Sequence, residues 1–298
     1  MSTPHPGVDD VIIGLHPAVT DTTMPVRDLL IAAEDRKIGG FYLPEHTHLP
    51  LDLNRSPYPG GGTMPDRYKR LVDPYTTLAY AAALTTEMEL GTCVGLIGNH
   101  DPIALAKALA TVDMLSGGRM FLGVGFGWNN AEFVAHNSAN ITDKADVTRE
   151  KLELMQRLWT EDEASYRGRF VALEPSWSWP KPVRQQGIPS LLGAPPTQRT
   201  FDRVSTWADG WLTMGTTLAA EDFPAHLTSL RITWAQRGRN PDDLQIAAIE
   251  APTGQDELAR LRDIARALGV GRLILHVEDM PANLLFDTMD TIAAVQRN

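Results

Sequence analysis

The sequence predicts an α/β protein, a (β/α)8 TIM barrel folded as a single domain. Short apolar runs typical of strands alternate with helical patterns through all 298 residues, and this strand–helix unit recurs eight times. No second composition appears along the chain, and barrels of this length commonly form one domain. Hydrophobic residues make up 43 % and charged residues 21 %, which excludes fibrous and disordered classes.

The first four units occupy the amino-terminal half. Strands are predicted at 11–15, 41–43, 90–96 and 120–124, and helices at 26–37, 75–85, 102–116 and 147–159. Asp101 is a good N-cap for the third helix, because Pro102 follows it at the first helical position. A Gly- and Pro-rich loop after the second strand is too long to be a simple connection, and loops of this kind are often functional.

An insertion rich in Trp and Pro, at about 160–189, separates the fourth unit from the fifth. The last four units follow it. Their strands are predicted at 190–192, 210–213, 244–249 and 272–276, and their helices at 200–207, 219–237, 256–268 and 282–297.

The charge of the chain favours a small-molecule substrate. A formal net charge of −10 argues against binding to nucleic acid and to an anionic membrane. Cys93 is the single cysteine, so neither an intramolecular disulfide nor a cysteine-based zinc cluster is possible, and a reducing compartment is expected. Because no signal-peptide pattern and no apolar segment of about 20 residues is found, a cytoplasmic location is predicted.

In a (β/α)8 barrel the active site lies where the strands run into the following loops. The candidate stretches therefore share one position, the carboxyl end of a predicted strand. They are 45–48, 93–101, 125–132, 193–199, 214–217, Glu250 and 276–278.

Three glycines, Gly123, Gly125 and Gly127, alternate in "GRMFLGVGFGWNNAEF" at 118–133. Their G-x-G-x-G spacing at a fourth strand argues against a dinucleotide fingerprint, which needs G-x-G-x-x-G in a first βαβ unit. Glycine at alternate strand positions instead lets a ligand or a neighbouring layer approach the backbone closely.

The sequence resembles the luciferase-like monooxygenase superfamily, in particular its branch that uses the deazaflavin coenzyme F420. The matching blocks are "FYLPEHTHLP" at 41–50, "SPYPGGG" at 56–62, "ELGTCVGLIGNHDPIALAKALATVDMLSGGRMFLGVGFGW" at 89–128, "PSWSWPKP" at 175–182 and "WADGW" at 207–211. The resemblance implies a (β/α)8 barrel with an insertion after the fourth strand. It also implies an oxidoreductase that forms a homodimer.

The resemblance further implies a site in the barrel mouth. A flavin or deazaflavin ring would lie against strands two to four, supported by a bulged third strand with a non-prolyl cis peptide at Cys93–Val94. The alternating glycines would then leave room for the flat ring. The residues expected to bind the cofactor are Cys93, Val94, Gly95, Gly125, Gly127, Trp128, Arg149, Gly193 and Arg199, and no metal is expected.

His46 and Glu45 are the catalytic candidates that the resemblance implies. A histidine can move a proton near neutral pH while hydride moves to or from the ring. The alternative is that His46 only hydrogen-bonds the cofactor or backbone. Glu132 could shuttle protons, but an N-cap or solvated position on a helix is the preferred interpretation. Arg149 would meet the acidic tail of the coenzyme or form a surface salt bridge, and Trp128 would wall the ring or close the barrel top.

One departure from the superfamily pattern lies after the fifth strand. Pro195 and Pro196 stand where glycines are expected, so two backbone donors for a cofactor phosphate are lost, although Arg199 could compensate. The first hypothesis is an F420-dependent oxidoreductase that transfers hydride to or from a small organic substrate. The alternatives are an FMN-dependent monooxygenase that uses oxygen and a barrel that has lost cofactor binding.

Overall fold

The computed structural model describes residues 11–277 and 281–297, apart from the side chain of Arg55. The amino-terminal ten residues of the predicted domain and Glu278 of the predicted mouth lie outside the described residues. The described strands, in chain order, are β1 (Ile12–Pro17), β2 (Gly40–Leu43), β3 (Glu89–Gly95), β4 (Met120–Val124), β5 (Ala164–Arg167), β6 (Ala172–Ser176), β7 (Ser190–Ala194), β8 (Gly210–Thr213), β9 (Gln245–Glu250) and β10 (Arg272–Val277).

Eight of these strands are parallel and close a barrel in the order β1-β10-β9-β8-β7-β4-β3-β2. The described helices are α1 (Val26–Asp35), α2 (Pro74–Leu84), α3 (Pro102–Ser116), α4 (Asn130–His136), α5 (Lys144–Thr160), α6 (Gln198–Trp207), α7 (Phe223–Gln236), α8 (Gln255–Leu268) and α9 (Ala282–Gln296). The predicted fold class is confirmed. The insertion after the fourth barrel strand contains an antiparallel hairpin of β5 and β6.

The helix starts follow from local capping chemistry. Asp101 accepts a hydrogen bond from the backbone N–H of Ala104 at 2.8 Å, which confirms its predicted role as N-cap of α3. The prediction that a helix starts at 219 is wrong, because α7 begins at Phe223 with Pro224 in its first turn. Helix α4 was not predicted. Its N-cap, Asn129, accepts from the backbone N–H of Glu132 at 3.0 Å.

The middle of the barrel interior is filled by one layer of side chains, which we call the interior layer. Seven buried residues from seven different strands form it: Tyr42, Cys93, Phe121, Leu191, Leu212, Ala247 and Ile274. A separate, larger apolar layer lies between the strands and the surrounding helices. At the amino end of the barrel, Arg272 forms two hydrogen bonds to the carboxylate of Glu89, and the hydroxyl of Tyr42 donates to the same carboxylate. The interior is therefore closed at that end, and the opposite end carries the loops.

None of the helices in the described part of the chain is long and apolar enough to cross a membrane.

Candidate active site in the barrel mouth

His46 and Glu132 are brought together by two loops at the carboxyl end of the barrel. His46 lies in the loop that follows β2, and Glu132 lies in the first turn of the short helix α4 that follows β4. The hydroxyl oxygen of Ser56 accepts from the backbone N–H of Asn130 at 2.8 Å, so the loop after β2 caps the start of α4. This contact fixes the two loops against each other.

The imidazole of His46 is held by a hydrogen bond at each nitrogen. Its Nδ1 lies 2.7 Å from Oε2 of Glu132, and the indole Nε1–H of Trp128 donates to its Nε2 at 3.0 Å. Because an indole N–H can only donate, Nε2 is the acceptor and the proton is on Nδ1. The His46 side chain is 6 % exposed. In this arrangement Trp128 occupies the lone pair of Nε2, and Glu132 faces Nδ1.

Glu132 is the best-satisfied carboxylate of the site. Its Oε1 accepts from the backbone N–H of Thr47 at 2.8 Å, while its Oε2 faces His46. Burial alone would raise its pKa, but the interaction with His46 and the hydrogen bonds from Thr47 outweigh burial and lower the pKa below the ordinary value. The preferred expectation of an N-cap or solvated Glu132 is therefore wrong, because the side chain is buried and bonds His46.

Trp128 packs in an aromatic cluster above His46. Its ring lies edge-on to His46, with 5.4 Å between ring centroids, and two tyrosines of the loop after β2 complete the cluster. Tyr68 contacts His46 at 5.7 Å and Tyr58 contacts Trp128 at 5.9 Å. The loop after β2 thus covers this side of the mouth, and Trp128 belongs to that cover.

Glu45 points to the other side of the strand end from His46. Its carboxylate accepts from the hydroxyl of Tyr75 at 2.9 Å and from the backbone N–H of Leu96 at 2.5 Å, and it also bonds Nε2 of His100. Burial would lower the pKa of His100, but the bond to Glu45 raises it above the ordinary value. The observed contacts tie the end of β2 to the segment after β3, which is an anchoring arrangement.

The third strand has the irregularity that the resemblance implies. The Cys93–Val94 peptide bond is cis, and the β3–β4 register shifts between Thr92 and Gly95. The thiol of Cys93 points into the interior layer, where burial raises its pKa. Val94 packs on the same layer and is only partly buried, so its side chain is available at the mouth.

The alternating glycines make room for a neighbouring strand, which is one of the two alternatives that their spacing predicts, and their expected contact with a flat ring stays a prediction. A side-chain carbon at Gly125 would lie 2.2 Å from Cγ2 of Val94, and one at Gly123 would lie 2.3 Å from the carbonyl oxygen of Thr92. Gly127 has a φ of +71° and faces the side chain of Leu96. The glycines of β4 and the loop after it thus accommodate the bulged β3.

The floor of the mouth is the layer of side chains above the interior layer. Gly193 follows Leu191 by two positions and, by strand alternation, faces inward beneath Val94, whose Cγ1 lies 2.7 Å from where a Cβ would stand. Ile249 also packs on the interior layer and stays partly accessible. The floor is therefore apolar at its centre.

Two histidines lie on β1 and β10, and β1 pairs directly with β2, the strand that precedes His46. His16 and His276 are register partners on β1 and β10, and their Nδ1 atoms lie 3.3 Å apart. Burial, and then the neighbouring His276, lowers the pKa of His16 to about 3, so its imidazole is neutral at physiological pH. Sequence reasoning selected His276 by its place at a strand end but did not single out His16.

The two predicted arginines lie in different surroundings. Arg199 is exposed in the first turn of α6, next to Arg203, and makes no hydrogen bond or ion pair with the residues that the structure describes. Arg149 forms an ion pair with Glu153 at 2.9 Å, as in the salt-bridge alternative. The proline pair stands just before the N-cap of α6, Thr197, which accepts from the backbone N–H of Thr200.

Sequence reasoning missed the partnership of Glu132 with His46. A signal was present, because Asn129 followed three positions later by Glu132 is typical of a helix start and predicts α4. The pairing itself spans 86 positions of sequence and becomes visible only in the folded chain. In the described part of the chain, no group of three or more His, Cys, Asp or Glu side chains lies close enough to hold a metal ion.

Known proteins similar to this chain point to one family. Residues 13–275 match the family described as luciferase-like monooxygenase. An uncharacterized protein of Mycobacterium tuberculosis is 41 % identical over 268 residues, which is 89 % of each chain. The F420-dependent hydroxymycolic acid dehydrogenase of the same species is 27 % identical over 70 % of this chain and 56 % of its own. The FMNH2-dependent dimethylsulfone monooxygenase of Pseudomonas putida is 27 % identical over 54 % and 44 %.

Solved structures share the fold. Monooxygenase RslO1 from Streptomyces bottropensis matches with a TM-score of 0.74 and 19 % identity, covering 95 % of this chain and 97 % of its own. An F420-dependent secondary alcohol dehydrogenase matches with a TM-score of 0.74 and 14 % identity, covering 97 % and 100 %. With the family pattern spanning nearly all of the described barrel, the chain belongs to the luciferase-like monooxygenase family and is an enzyme of its oxidoreductase class.

Proposed function

We propose that the protein is an F420-dependent oxidoreductase that transfers a hydride between the deazaflavin and a small organic substrate. The observation that carries this proposal is the buried imidazole of His46, held by Glu132 at Nδ1, with an acceptor at Nε2 that Trp128 bonds in the absence of a ligand. Hydride transfer to or from an alcohol, amine or carbonyl needs a partner for the proton, and a histidine so oriented supplies one.

The residues of the mouth fit a flavin or deazaflavin. Val94 and Ile249 offer a partly accessible apolar floor on which a flat ring can lie, with His46 at its side. Arg199 and Arg203 place two positive charges at the first turns of α6, and a helix N-terminus favours an anionic group. An apolar floor next to a cationic wall suits a ring with a phosphate-bearing tail. When bound there, the deazaflavin supplies the carbon that accepts or releases the hydride.

The protein's own residues handle the proton. His46 takes the substrate proton at Nε2 in the oxidative direction and returns it in the reductive direction, while Glu132 stabilises the imidazolium. Trp128 has to release Nε2 before either transfer, because its indole N–H occupies the lone pair. Glu45 acts as a positioning residue in this scheme, since its carboxylate bonds Tyr75, Leu96 and His100.

The second candidate is an FMN-dependent monooxygenase, and the similarity to the dimethylsulfone monooxygenase favours it. The floor and the arginines described above suit either cofactor. The homodimer stays a prediction that rests on the resemblance, and the cytoplasmic location stays one that rests on the single cysteine and on the sequence patterns described above.

The test is a titration of the purified protein with coenzyme F420 and, separately, with FMN, followed by tryptophan fluorescence. We expect micromolar binding that is selective for F420. We also expect Arg199→Gln and Arg203→Gln to weaken it, while Arg237→Gln, an exposed arginine after α7, serves as the matched control. Selective binding of FMN would move the protein to the monooxygenase class. Binding of neither would indicate that the Pro195–Pro196 departure has abolished the cofactor site.

A further inference from the structure

A chain of hydrogen-bonding groups runs from His46 to the protein surface. Glu132 bonds His46 through Oε2, and its Oε1 also accepts from the hydroxyl of Thr47 at 3.2 Å. That hydroxyl lies 2.7 Å from Nε2 of His136, whose side chain is exposed in the last turn of α4. Each neighbouring pair of polar atoms in this chain is within hydrogen-bonding distance.

We propose that Thr47 and His136 form a proton relay that connects the His46–Glu132 pair with bulk water. The relay leaves His46 through Nδ1, whereas the proposed substrate proton enters at Nε2, so the two paths use different nitrogens of the ring. Its role in turnover rests on the proposed function, because it resets the protonation of His46 between catalytic cycles. Its existence as a proton path does not depend on which cofactor binds.

One outward transfer moves one proton from His46 to water, and each group on the way gives up one proton for the one it accepts. After Nε2 of His46 has taken a proton, the imidazolium gives its Nδ1 proton to Oε2 of Glu132, which leaves His46 neutral with its proton on Nε2. A half-turn of the carboxylic acid about its Cγ–Cδ bond then exchanges the two oxygens and brings the protonated one to Thr47. It donates to the Thr47 oxygen as the Thr47 hydroxyl proton passes to Nε2 of His136. His136 then releases a proton to water. A hydroxyl has one proton and two lone pairs, so Thr47 can accept from one neighbour while it donates to the other.

The charges around the relay allow transfer in both directions. Burial, and then the neighbouring His48, lowers the pKa of His136 below its ordinary value, while Glu132 opposes this effect. His100 and Lys151 act in the same direction as His48, and Lys144 faces Glu132. A neutral His136 is therefore ready to accept a proton near physiological pH.

A purely orienting role would not need the Thr47 hydroxyl. The backbone N–H of Thr47 already holds Oε1 of Glu132 at 2.8 Å, and this bond is independent of the side chain. His48 provides a second surface group, because its Nδ1 lies 3.1 Å from the same hydroxyl. Removing the hydroxyl of Thr47 therefore interrupts the paths to both His136 and His48, but it leaves the bond between the Thr47 backbone N–H and Glu132 in place.

The test measures how fast the Nδ1 proton of His46 exchanges with water in the protein without cofactor, by NMR of ¹⁵N-histidine-labelled samples. The resonance is assigned by its loss in His46→Asn. The relay predicts that Thr47→Val slows exchange by about 10²-fold, the lower end of what a positioned proton-transfer group contributes. Thr47→Ser keeps the hydroxyl and should exchange at close to the wild-type rate.

A second comparison tests the surface end and does not depend on the folding of the valine variant. The double variant His48→Gln/His136→Gln should slow exchange, and added imidazole buffer should restore part of the rate. His226→Gln, a histidine paired with Asp222 on α7, should have no effect. Exchange in Thr47→Val and in the double variant that stays within about twofold of wild type would overturn the relay, since losing a positioned group should cost far more. The cofactor titration would be unaffected by that result, so failure of the relay and failure of the proposed function are distinguishable.

Discussion

At the residue scale, the protonation pattern of the site is set by Trp128 and Glu132 together. A donor that can only donate faces Nε2 of His46, and an acceptor that is ionised faces Nδ1. Both partners select the same tautomer. The orientation of the imidazole is therefore fixed before any ligand arrives, which is what precise proton transfer requires.

Glu132→Gln should disturb this tautomer. If the amide oxygen stays on the backbone N–H of Thr47, its NH2 group faces Nδ1 of His46 and forces the proton to Nε2, where the Trp128 N–H opposes it. If the amide is reversed, the bond to Thr47 is lost. We expect a lower population of the Nδ1–H form in the ¹⁵N shifts of His46, and cofactor-dependent turnover reduced by about 10²- to 10⁴-fold. Unchanged shifts would contradict the assignment, and Glu161→Gln, on the exposed surface, is the control.

His100 should make the stability of the protein depend on pH. Its pKa is raised above 6.5 in the folded state, chiefly because the bond to Glu45 and the charges of Glu45 and Asp73 outweigh burial and Lys151. The stabilisation is therefore present in full below the unfolded value and is lost as pH rises through the folded pKa. Urea unfolding of wild type and His100→Gln should show a larger difference at about pH 6 than at about pH 9. An equal difference at both values would contradict this.

At the element scale, β3 and β4 fit together through alternating residues. Thr92 and Val94 face Gly123 and Gly125, and Leu96 faces Gly127 just beyond the strand ends. Side chains of Val94 and Leu96 fill the space at Gly125 and Gly127, and the backbone carbonyl of Thr92 fills it at Gly123. The bulge of β3 is accommodated by this pairing, and the bulge in turn places Val94 on the floor of the mouth.

Gly125→Ala should destabilise the protein because the new methyl group overlaps Val94. We expect a loss of about 1–3 kcal/mol in the free energy of unfolding, the usual cost of overpacking. Adding Val94→Ala should recover part of it, so that the double variant is more stable than the sum of the single changes predicts. Gly271→Ala, where the nearest atom lies 3.9 Å from the added carbon, should change stability by less than about 0.5 kcal/mol. Additive losses in the double variant would contradict the overlap.

The position of β4 was predictable from the sequence, whereas the reason for its glycines was not. Strand 120–124 has the observed bounds because an apolar run between Gly117–Gly118 and the glycine series is unambiguous. The reason for the glycines was not predictable from the run itself, since the atoms that fill their space come from a different strand. Helix α4 was missed because it has only seven residues, too few for a helical period to stand out.

At the scale of the whole molecule, one ion pair joins strands far apart in the chain. Arg272 on β10 and Glu89 on β3 are separated by 183 positions and meet inside the barrel. Both are buried, and burial of Glu89 is outweighed by Arg272, which lowers the carboxylate pKa. The Arg272–Glu89 ion pair therefore closes the amino end of the barrel, while apolar side chains fill its middle.

Arg272→Met should be strongly destabilising because it leaves Glu89 as a buried carboxylate without its cation. We expect a loss of about 3–5 kcal/mol in urea unfolding at neutral pH. The double variant Glu89→Gln/Arg272→Met should lose less than the single variant, since no buried charge remains. Arg157→Met, which breaks an exposed pair with Glu161, should cost less than about 1 kcal/mol. A double variant that is no better than the single one would show that the charge is not the cause.

The barrel class itself was predictable because eight buried strands leave eight apolar runs in the sequence. The carboxyl-end rule placed His46, Val94 and Gly193 at one end before any contact was known. The rule could not choose which side chains touch. Thr47 in the loop after β2 and His136 in α4 meet because that loop docks on α4, through Ser56 and through Glu132.

The hydrogen bond from Trp128 to His46 competes with any ligand that binds Nε2 of His46. Any ligand that must reach Nε2 has to displace the indole N–H first, and part of its binding free energy is spent on that exchange. A neutral hydrogen bond contributes about 0.5–1.5 kcal/mol, so weakly bound molecules lose roughly two- to tenfold in apparent affinity. Molecules that offer His46 a better donor replace the indole readily. Under the proposed function, access to Nε2 of His46 would therefore depend on the hydrogen-bonding chemistry of a ligand as well as on its shape.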